Sequence, residues 1–289
     1  MKFGIILPSY GPNSSRLATV DTALAAEGLG FDSIWTTDHL ALPQADAVRF
    51  TPLFESITTL AFLAGLTSRV RLGISALVLP QRNPVEVARQ IATLDVLSGG
   101  RAMLSCGVGW SKGEFENLGS SFSDRGRRMD EALKVLRILW RGSKQVSFLG
   151  KYYTFQDVDF SPAPIQPGGP PLWVAGNSPA AVRRAIQLAD GWHPNQGTPE
   201  DLARMLDPIR PFLTAGRPFT LCRRMHLDFS DAPDPERSLS GTPEQVAEQL
   251  RAYRQAGMNY ALIHFQAQTQ AERERAMRTL MTQVAPEID

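Results

Sequence analysis

The chain has 289 residues, 43% hydrophobic and 20% charged, enough to bury a large core as one big domain or two small ones. Its 30 basic and 29 acidic side chains balance to a formal net charge of +1, which removes any electrostatic reason to expect nucleic acid or an anionic membrane surface as a partner. Cys106 and Cys222 have no Cys or His neighbour at metal-ligand spacing, so neither a zinc site nor a disulfide framework is suggested, and both read as buried thiols in a reducing cytoplasm.

The first apolar run, Phe3 to Leu7, is too short for a signal peptide or a membrane span and predicts a strand. Leu17 to Leu29 has apolar residues at helical spacing and ends at Gly30. Strand and helix then alternate: strand Ser33 to Thr37, helix Leu53 to Leu66, strand Val70 to Leu79, helix Val85 to Leu97, strand Ala102 to Val108, helix Asp124 to Trp140. Between Gly142 and Pro171 the pattern pauses in an aromatic and then proline-rich stretch, read as a β-hairpin plus an extended segment inserted between the fourth helix and the fifth strand.

Alternation resumes with strand Leu172 to Ala175, helix Ala180 to Ala189, strand Gly191 to His193 and helix Glu200 to Leu213. Strand Phe219 to Phe229, helix Pro243 to Ala256, strand Tyr260 to Phe265 and helix Ala271 to Val284 complete the chain. Eight strands each followed by a helix predict an α/β fold, a (β/α)₈ TIM barrel in one domain over residues 1–289, ahead of an open doubly wound sheet, which would leave two edges.

In such a barrel chemistry sits at the C-terminal ends of the strands. The polar residues expected there are Thr36-Thr37-Asp38-His39, Pro80-Gln81-Arg82-Asn83, Gly107-Val-Gly-Trp-Ser111, Gly176-Asn177-Ser178, His193 with Asn195, and His264. Three of the four histidines therefore share one rim, where a side chain that titrates near neutral is useful as an acid or base, while His226 lies inside a strand and reads as packing or lumen lining. Asp38 and His39 have a plain alternative as a turn cap and a surface residue.

The stretch PLWVAGNSPAA, residues 171 to 181, also has two readings. Ser178 as N-cap, Pro179 at the first helical position and Gly176 in a tight turn make an ordinary strand-to-helix connection. The same residues leave backbone N–H groups at a helix N-terminus, a ready site for a phosphate. Small residues in Leu72-Gly-Ile-Ser-Ala76, where a barrel strand usually carries Val, Ile or Leu, fit either a tapered barrel or the close approach of a planar ligand. Nucleophile-elbow, phosphate-loop and His-Glu-x-x-His patterns are missing from the sequence.

Seven segments together resemble the luciferase-like monooxygenase family: residues 30–39 (GFDSIWTTDH), 71–84 (RLGISALVLPQRNP), 92–101 (ATLDVLSGGR), 107–110 (GVGW), 125–131 (RGRRMDE), 173–178 (WVAGNS) and 189–194 (ADGWHP). The resemblance is nearest to the branch of F420-dependent oxidoreductases. It implies a (β/α)₈ barrel binding coenzyme F420 or, alternatively, FMN. It places a non-prolyl cis peptide at Ser75-Ala76 under the middle ring, Asp38, Gly109 and Trp110 near the ring, and Ala175, Gly176, Asn177 and Ser178 at the phosphate of the cofactor side chain. His39 matches the histidine at the reacting face, able to give or take a proton of a small-molecule substrate. It also implies a homodimer, with the apolar helix Leu53 to Leu66 as a candidate contact.

Two departures stand out. The sugar-phosphate-oxidising branch has a Trp four residues after its Asp-His pair, where this chain has Pro43. The acidic residue that branch places after its glycine turn falls near Lys112, with Glu114 two positions later, so no second catalytic residue is assigned. Hydride transfer with F420, a two-component FMN monooxygenase, a lyase or isomerase using the phosphate site for its substrate, and a cofactor-binding barrel without turnover remain the competing functions.

Overall fold

The protein is described from a computed structural model that covers residues 1–142, 144–207, 210, 218–231, 234, 238–265 and 267–288. In chain order the elements are β1 (Lys2–Ile6), α1 (Arg16–Leu29), β2 (Ser33–Thr36), α2 (Gln44–Ala47), α3 (Ser56–Ala64), β3 (Arg71–Ile74), β4 (Leu77–Val78), α4 (Pro84–Ser98), β5 (Leu104–Gly107), α5 (Lys112–Asn117) and α6 (Arg125–Trp140). They continue with β6 (Val146–Leu149), β7 (Thr154–Val158), β8 (Leu172–Ala175), α7 (Pro179–Leu188), β9 (Gly191–His193), α8 (Pro199–Leu206), β10 (Thr220–Phe229), β11 (Leu239–Gly241), α9 (Pro243–Gln255), β12 (Tyr260–Phe265) and α10 (Gln270–Thr279).

Parallel pairing runs β3-β2-β1-β12-β10-β9-β8-β5-β4. Because β3 and β4 are two pieces of one stave and Leu72 bridges back to Ala102, the ring closes into a (β/α)₈ barrel of eight staves. The predicted third strand, Val70 to Leu79, is thus interrupted, and the interruption is a cis peptide between Ser75 and Ala76. The antiparallel pair β6–β7 is the hairpin expected between the fourth helix of the alternation and the fifth stave.

Local chemistry explains most boundaries. The first helix stops at Gly30 in the left-handed region, and α4 starts on Asn83, whose side chain accepts from Val85 N. The predicted helix Leu53 to Leu66 is shorter, because Leu53 bridges to Tyr10 and Glu55 caps the helix at Thr58 N. Three short elements had no sequence expectation: α2, α5, and β11, which extends the far end of β10. The predicted helix Glu200 to Leu213 is observed as Pro199–Leu206 inside a capping box, and its last residues lie outside the described ones.

Two apolar clusters hold the molecule. The larger fills the layer between barrel and helices. The smaller, Ile6, Trp35, Met103, Trp173, Cys222, Tyr260 and Leu262, plugs the lower lumen, with the Trp35 and Trp173 rings stacked at 5.1 Å. This answers part of the puzzle of small residues in the third stave. A Cβ on Gly73 would lie 2.4 Å from the Trp35 ring, so the tapered-barrel reading holds for Gly73.

Several residues of the family-like segments are structural. Arg101 is buried and donates to Ser98 O, Thr67 Oγ1, Val70 O, Ala64 O and Thr67 O, tying the loops after α3 and α4 together. Among the described residues no helix is long and apolar enough to cross a membrane, and no group of three metal-ligating side chains occurs.

Candidate active site

At the C-terminal end of β2 the chain turns through Thr37 and Asp38 to His39, which is 8% exposed. Its partner comes from α5. Ser111 caps that helix by accepting from Glu114 N at 3.2 Å, and this fixes Glu114 one turn in, with its side chain directed back across the barrel mouth. The Glu114 carboxylate is fully buried and accepts from His39 Nδ1 at 2.9 Å, Leu40 N at 2.7 Å, Ala41 N at 3.3 Å and Gln81 Nε2 at 3.1 Å.

Burial by itself would raise that carboxyl, but the hydrogen bonds from His39 and Leu40 outweigh it and hold the group at about 2. An ionised carboxylate only accepts, so the proton of the neutral imidazole stays on Nδ1 and Nε2 is the atom left for chemistry. Phe50 and Trp110 wall the ring at centroid distances of 4.6 and 5.7 Å, and Trp110 itself is 48% exposed at the mouth.

Asp38 does a different job from its neighbour. Buried to 2% exposure, its carboxylate accepts from Ser56 Oγ at 2.8 Å, Val78 N at 2.9 Å and Arg82 Nη2 at 2.7 Å. It ties β2 to α3 and to the short strand after the cis peptide, and this satisfies both oxygens within the protein.

Beside the dyad lies a flat floor. A Cβ on Gly107 would meet Ala76 Cβ at 3.6 Å and Ala175 Cβ at 3.9 Å, so the tops of three adjacent staves carry nothing larger than a methyl group. Gly109 has φ of 79°, and a Cβ there would lie 2.7 Å from both Phe115 and Val78, so no other residue fits that turn.

His193, expected at the rim, lies in the lumen under this floor. Its Nδ1 meets Ser105 Oγ at 2.8 Å and its Nε2 meets Ser75 Oγ at 3.4 Å. Burial, and then the charge of Arg224, push it down to about 3, so it is neutral at physiological pH. Burial lowers His264 in the same direction, and its ring packs 4.8 Å from that of His226. The structure therefore separates the three rim histidines: among the described residues, His39 is the one that faces a carboxylate.

The β8–α7 turn realises the plain reading of PLWVAGNSPAA in full. Ser178 accepts from Ala181 N at 3.2 Å, and Gly176 takes φ of 132°. The Asn177 side chain donates to Asn195 Oδ1 at 2.6 Å and accepts from Asn195 N and Gln196 N, clamping the next stave's loop. Yet the backbone N–H groups of Asn177, Ser178 and Ala180 have no partner among the described residues, so the helix N-terminus keeps its capacity for an anion. A floor of small residues, an oriented imidazole and N–H groups unpaired among the described residues at one barrel mouth together fit a planar cofactor carrying a phosphate.

Sequence reasoning assigned no second residue of the dyad and passed over Arg224 and Tyr10. A signal for the first was present: Ser111-x-x-Glu114 has the spacing of a capping box and marks a helix start.

The family model for luciferase-like monooxygenases matches residues 1–231. The chain belongs to the luciferase-like monooxygenase family and is an enzyme of oxidoreductase or monooxygenase type. It is 32% identical over 234 residues, 73% of this chain and 60% of the other, to a phthiodiolone/phenolphthiodiolone dimycocerosates ketoreductase of Mycobacterium tuberculosis. The coenzyme F420 dependent tetrahydromethanopterin reductase of Methanopyrus kandleri superposes with a TM-score of 0.80 at 19% identity, over 100% of this chain and 99% of that one. The oxygenating constituent of 3,6-diketocamphane monooxygenase of Pseudomonas putida, in complex with FMN, superposes with a TM-score of 0.76 at 17% identity, over 100% and 99%.

Proposed function

We propose that the protein transfers a hydride between coenzyme F420 and a small organic substrate at a carbinol or carbonyl carbon, with His39 as the proton-handling residue. The observation that carries this reading is the buried His39–Glu114 pair beside a floor of small residues. Oxidising a carbinol releases a proton together with the hydride, and a general base within reach of the hydroxyl is what that reaction requires. The deazaflavin, when bound, supplies the hydride acceptor or donor.

In this reading Ala76, Gly107, Gly109 and Ala175 leave room for the ring, and the N–H groups at the start of α7 hold the phosphate. His39 Nε2 takes the hydroxyl proton in oxidation and returns it in reduction. Glu114 stays ionised throughout, keeps the imidazole in one tautomer and stabilises its protonated form, as a carboxylate behind a catalytic imidazole does. Phe50 and Trp110 limit the access of water to the reacting end.

F420 is preferred because the sequence segments lie nearest the F420-dependent branch and because the ketoreductase relative bears a name for carbonyl reduction. The second reading, an FMN-dependent monooxygenase using reduced FMN and oxygen, is favoured by the FMN-containing neighbour. We assign the enzyme to the cytoplasm as a single domain over residues 1–289. We also propose a homodimer, with Phe62 of α3 and the adjacent Leu66, both exposed, as part of its contact.

Side-by-side calorimetric titration with F420 and FMN, oxidised and reduced, tests the reading. Tight F420 binding with weak FMN binding supports it, preference for reduced FMN selects the monooxygenase, and failure of both coenzymes to bind leaves a barrel that uses the phosphate site otherwise. His39→Asn separates an enzyme from a binder: the variant should keep cofactor affinity and lose turnover.

A further inference from the structure

The upper lumen holds a second polar group that the proton-transfer reading does not use. Arg224 reaches inward from β10, half-buried, and donates Nη1 to the Ser75 carbonyl at 3.2 Å and Nη2 to Tyr10 Oη at 2.6 Å. Of its five N–H bonds, three therefore have no partner among the described residues, and no carboxylate of those residues forms an ion pair with it.

The surroundings sharpen this. Tyr10 packs against His264 with ring centroids at 5.7 Å, and His264 Nδ1 is buried without a hydrogen-bond partner among the described residues. His193 and His264 are both held neutral, so they add no positive charge and cannot oppose that of Arg224. A half-buried guanidinium with no counter-ion among the described residues is suited to an anion, and the His264 imidazole nitrogen is a second polar group able to bind one.

The position relative to the dyad is also defined. Tyr10 stacks toward Phe50 at 5.8 Å, and Phe50 packs on His39 at 4.6 Å, so two aromatic rings span the wall from the cation to the proton-handling imidazole. At the far end Glu114 is an anion already committed to His39 and would repel a second one.

We propose that Arg224, with Tyr10 and His264, forms the subsite for a substrate carboxylate, making the substrate a small organic acid. For the reacting end this rests on the hydride-transfer reading; the carboxylate subsite stands on its own geometry. Guanidinium N–H groups suit a planar carboxylate, and the aromatic wall covers the carbon skeleton between the two ends.

The test is calorimetric titration of the wild-type protein with benzoate and with its neutral isostere benzamide, each with and without saturating F420. Benzoate should bind at least about tenfold more tightly than benzamide, the scale of one charge-assisted contact. Arg224→Gln should abolish that preference, and Arg224→Lys should retain part of it. If Arg224→Gln does not fold, Tyr10→Phe carries the test, since it removes only the hydroxyl that holds the guanidinium, and it should reduce the preference several-fold.

Equal binding of benzoate and benzamide by the wild type overturns the subsite. So does benzoate binding that survives Arg224→Gln and is displaced by inorganic phosphate, which would place it at the start of α7. Loss of coenzyme affinity in Arg224→Gln with benzoate binding intact would reassign the residue to the cofactor. A protein that prefers benzoate and binds neither coenzyme refutes the hydride-transfer reading and leaves the subsite standing.

Discussion

The lower and upper halves of the barrel lumen are built from the same eight staves with the same alternation of side chains, and they do opposite things. Below, Trp35, Trp173, Tyr260 and Leu262 close the barrel with apolar mass, and Gly73 is small only because Trp35 needs the space. Above, the inward positions are Ser75, Ser105, His193, Arg224 and His264, all hydrogen-bonding or charged groups. The difference teaches that small residues in one stave can have two causes a few positions apart. Gly73 yields to a neighbouring ring, whereas Ser75 and Ala76 leave a flat surface at the mouth.

The comparison can be broken most strongly at His39. Replacing it with Asn should reduce turnover by roughly 10²- to 10⁴-fold, the usual contribution of a positioned acid or base, with cofactor affinity unchanged in calorimetry. A variant that turned over normally would remove His39 from the reaction. In the lower half, Trp35→Ala should instead cost about 3–5 kcal/mol of stability in denaturant unfolding, as other large-to-small core changes do. Its turnover per folded molecule should stay near that of the wild type, and a loss of activity as large as that of His39→Asn would erase the distinction between the halves.

Glu114→Gln sharpens the comparison through pH. The folded carboxyl lies at about 2, below its ordinary 4.5, so its ionised form adds stability that is present above the ordinary value and lost as the pH falls toward 2. Acid unfolding should therefore be shallower in the variant between those two values, and identical acid profiles would mean that the carboxylate is not held as described. The variant should also alter the pH profile of turnover, because the imidazole would lose its anionic partner.

The smallest effect is expected at the β8–α7 turn. Ser178→Ala should cost about 1 kcal/mol as the loss of an N-cap. Its effect on coenzyme affinity should be modest, since the N–H groups at the start of α7 come from the backbone and survive the change. A complete loss of coenzyme binding in Ser178→Ala would mean that the hydroxyl, rather than the helix terminus, holds the phosphate.

Much of the fold was legible from periodicity alone. The alternation of apolar runs, with Gly30 and Gly99 as stops and Asn83 and Ser178 as caps, places all eight staves and the hairpin insertion close to where they are found. Elements without a periodic signal were missed. The α2 and α5 helices have four and six residues, too few for an amphipathic pattern to register, and β11 has three.

The candidate site divides along the same line. His39 and the glycine turn of residues 176–178 could be found because strand ends in a barrel are predictable positions. Only the family resemblance singled out His39 among the rim histidines, and its partner could not be assigned, since Glu114 lies 75 positions away and the burial that holds His193 neutral is not written in local spacing. Asp38, adjacent to His39 in the chain, faces Ser56 and Arg82 and serves the fold.

What the sequence by itself determined was the order of elements, the barrel and the rim on which chemistry is placed, because hydrogen-bonding period, helix caps and turn residues act within a few positions along the chain. Only the tertiary structure decided that Glu114 orients His39, that Gly73 makes room for Trp35, and that Arg224 stands in the upper lumen with no carboxylate partner among the described residues. Those are contacts between residues far apart in the chain. Their energies come from distance, desolvation and charge in three dimensions, and none of these is written in local spacing.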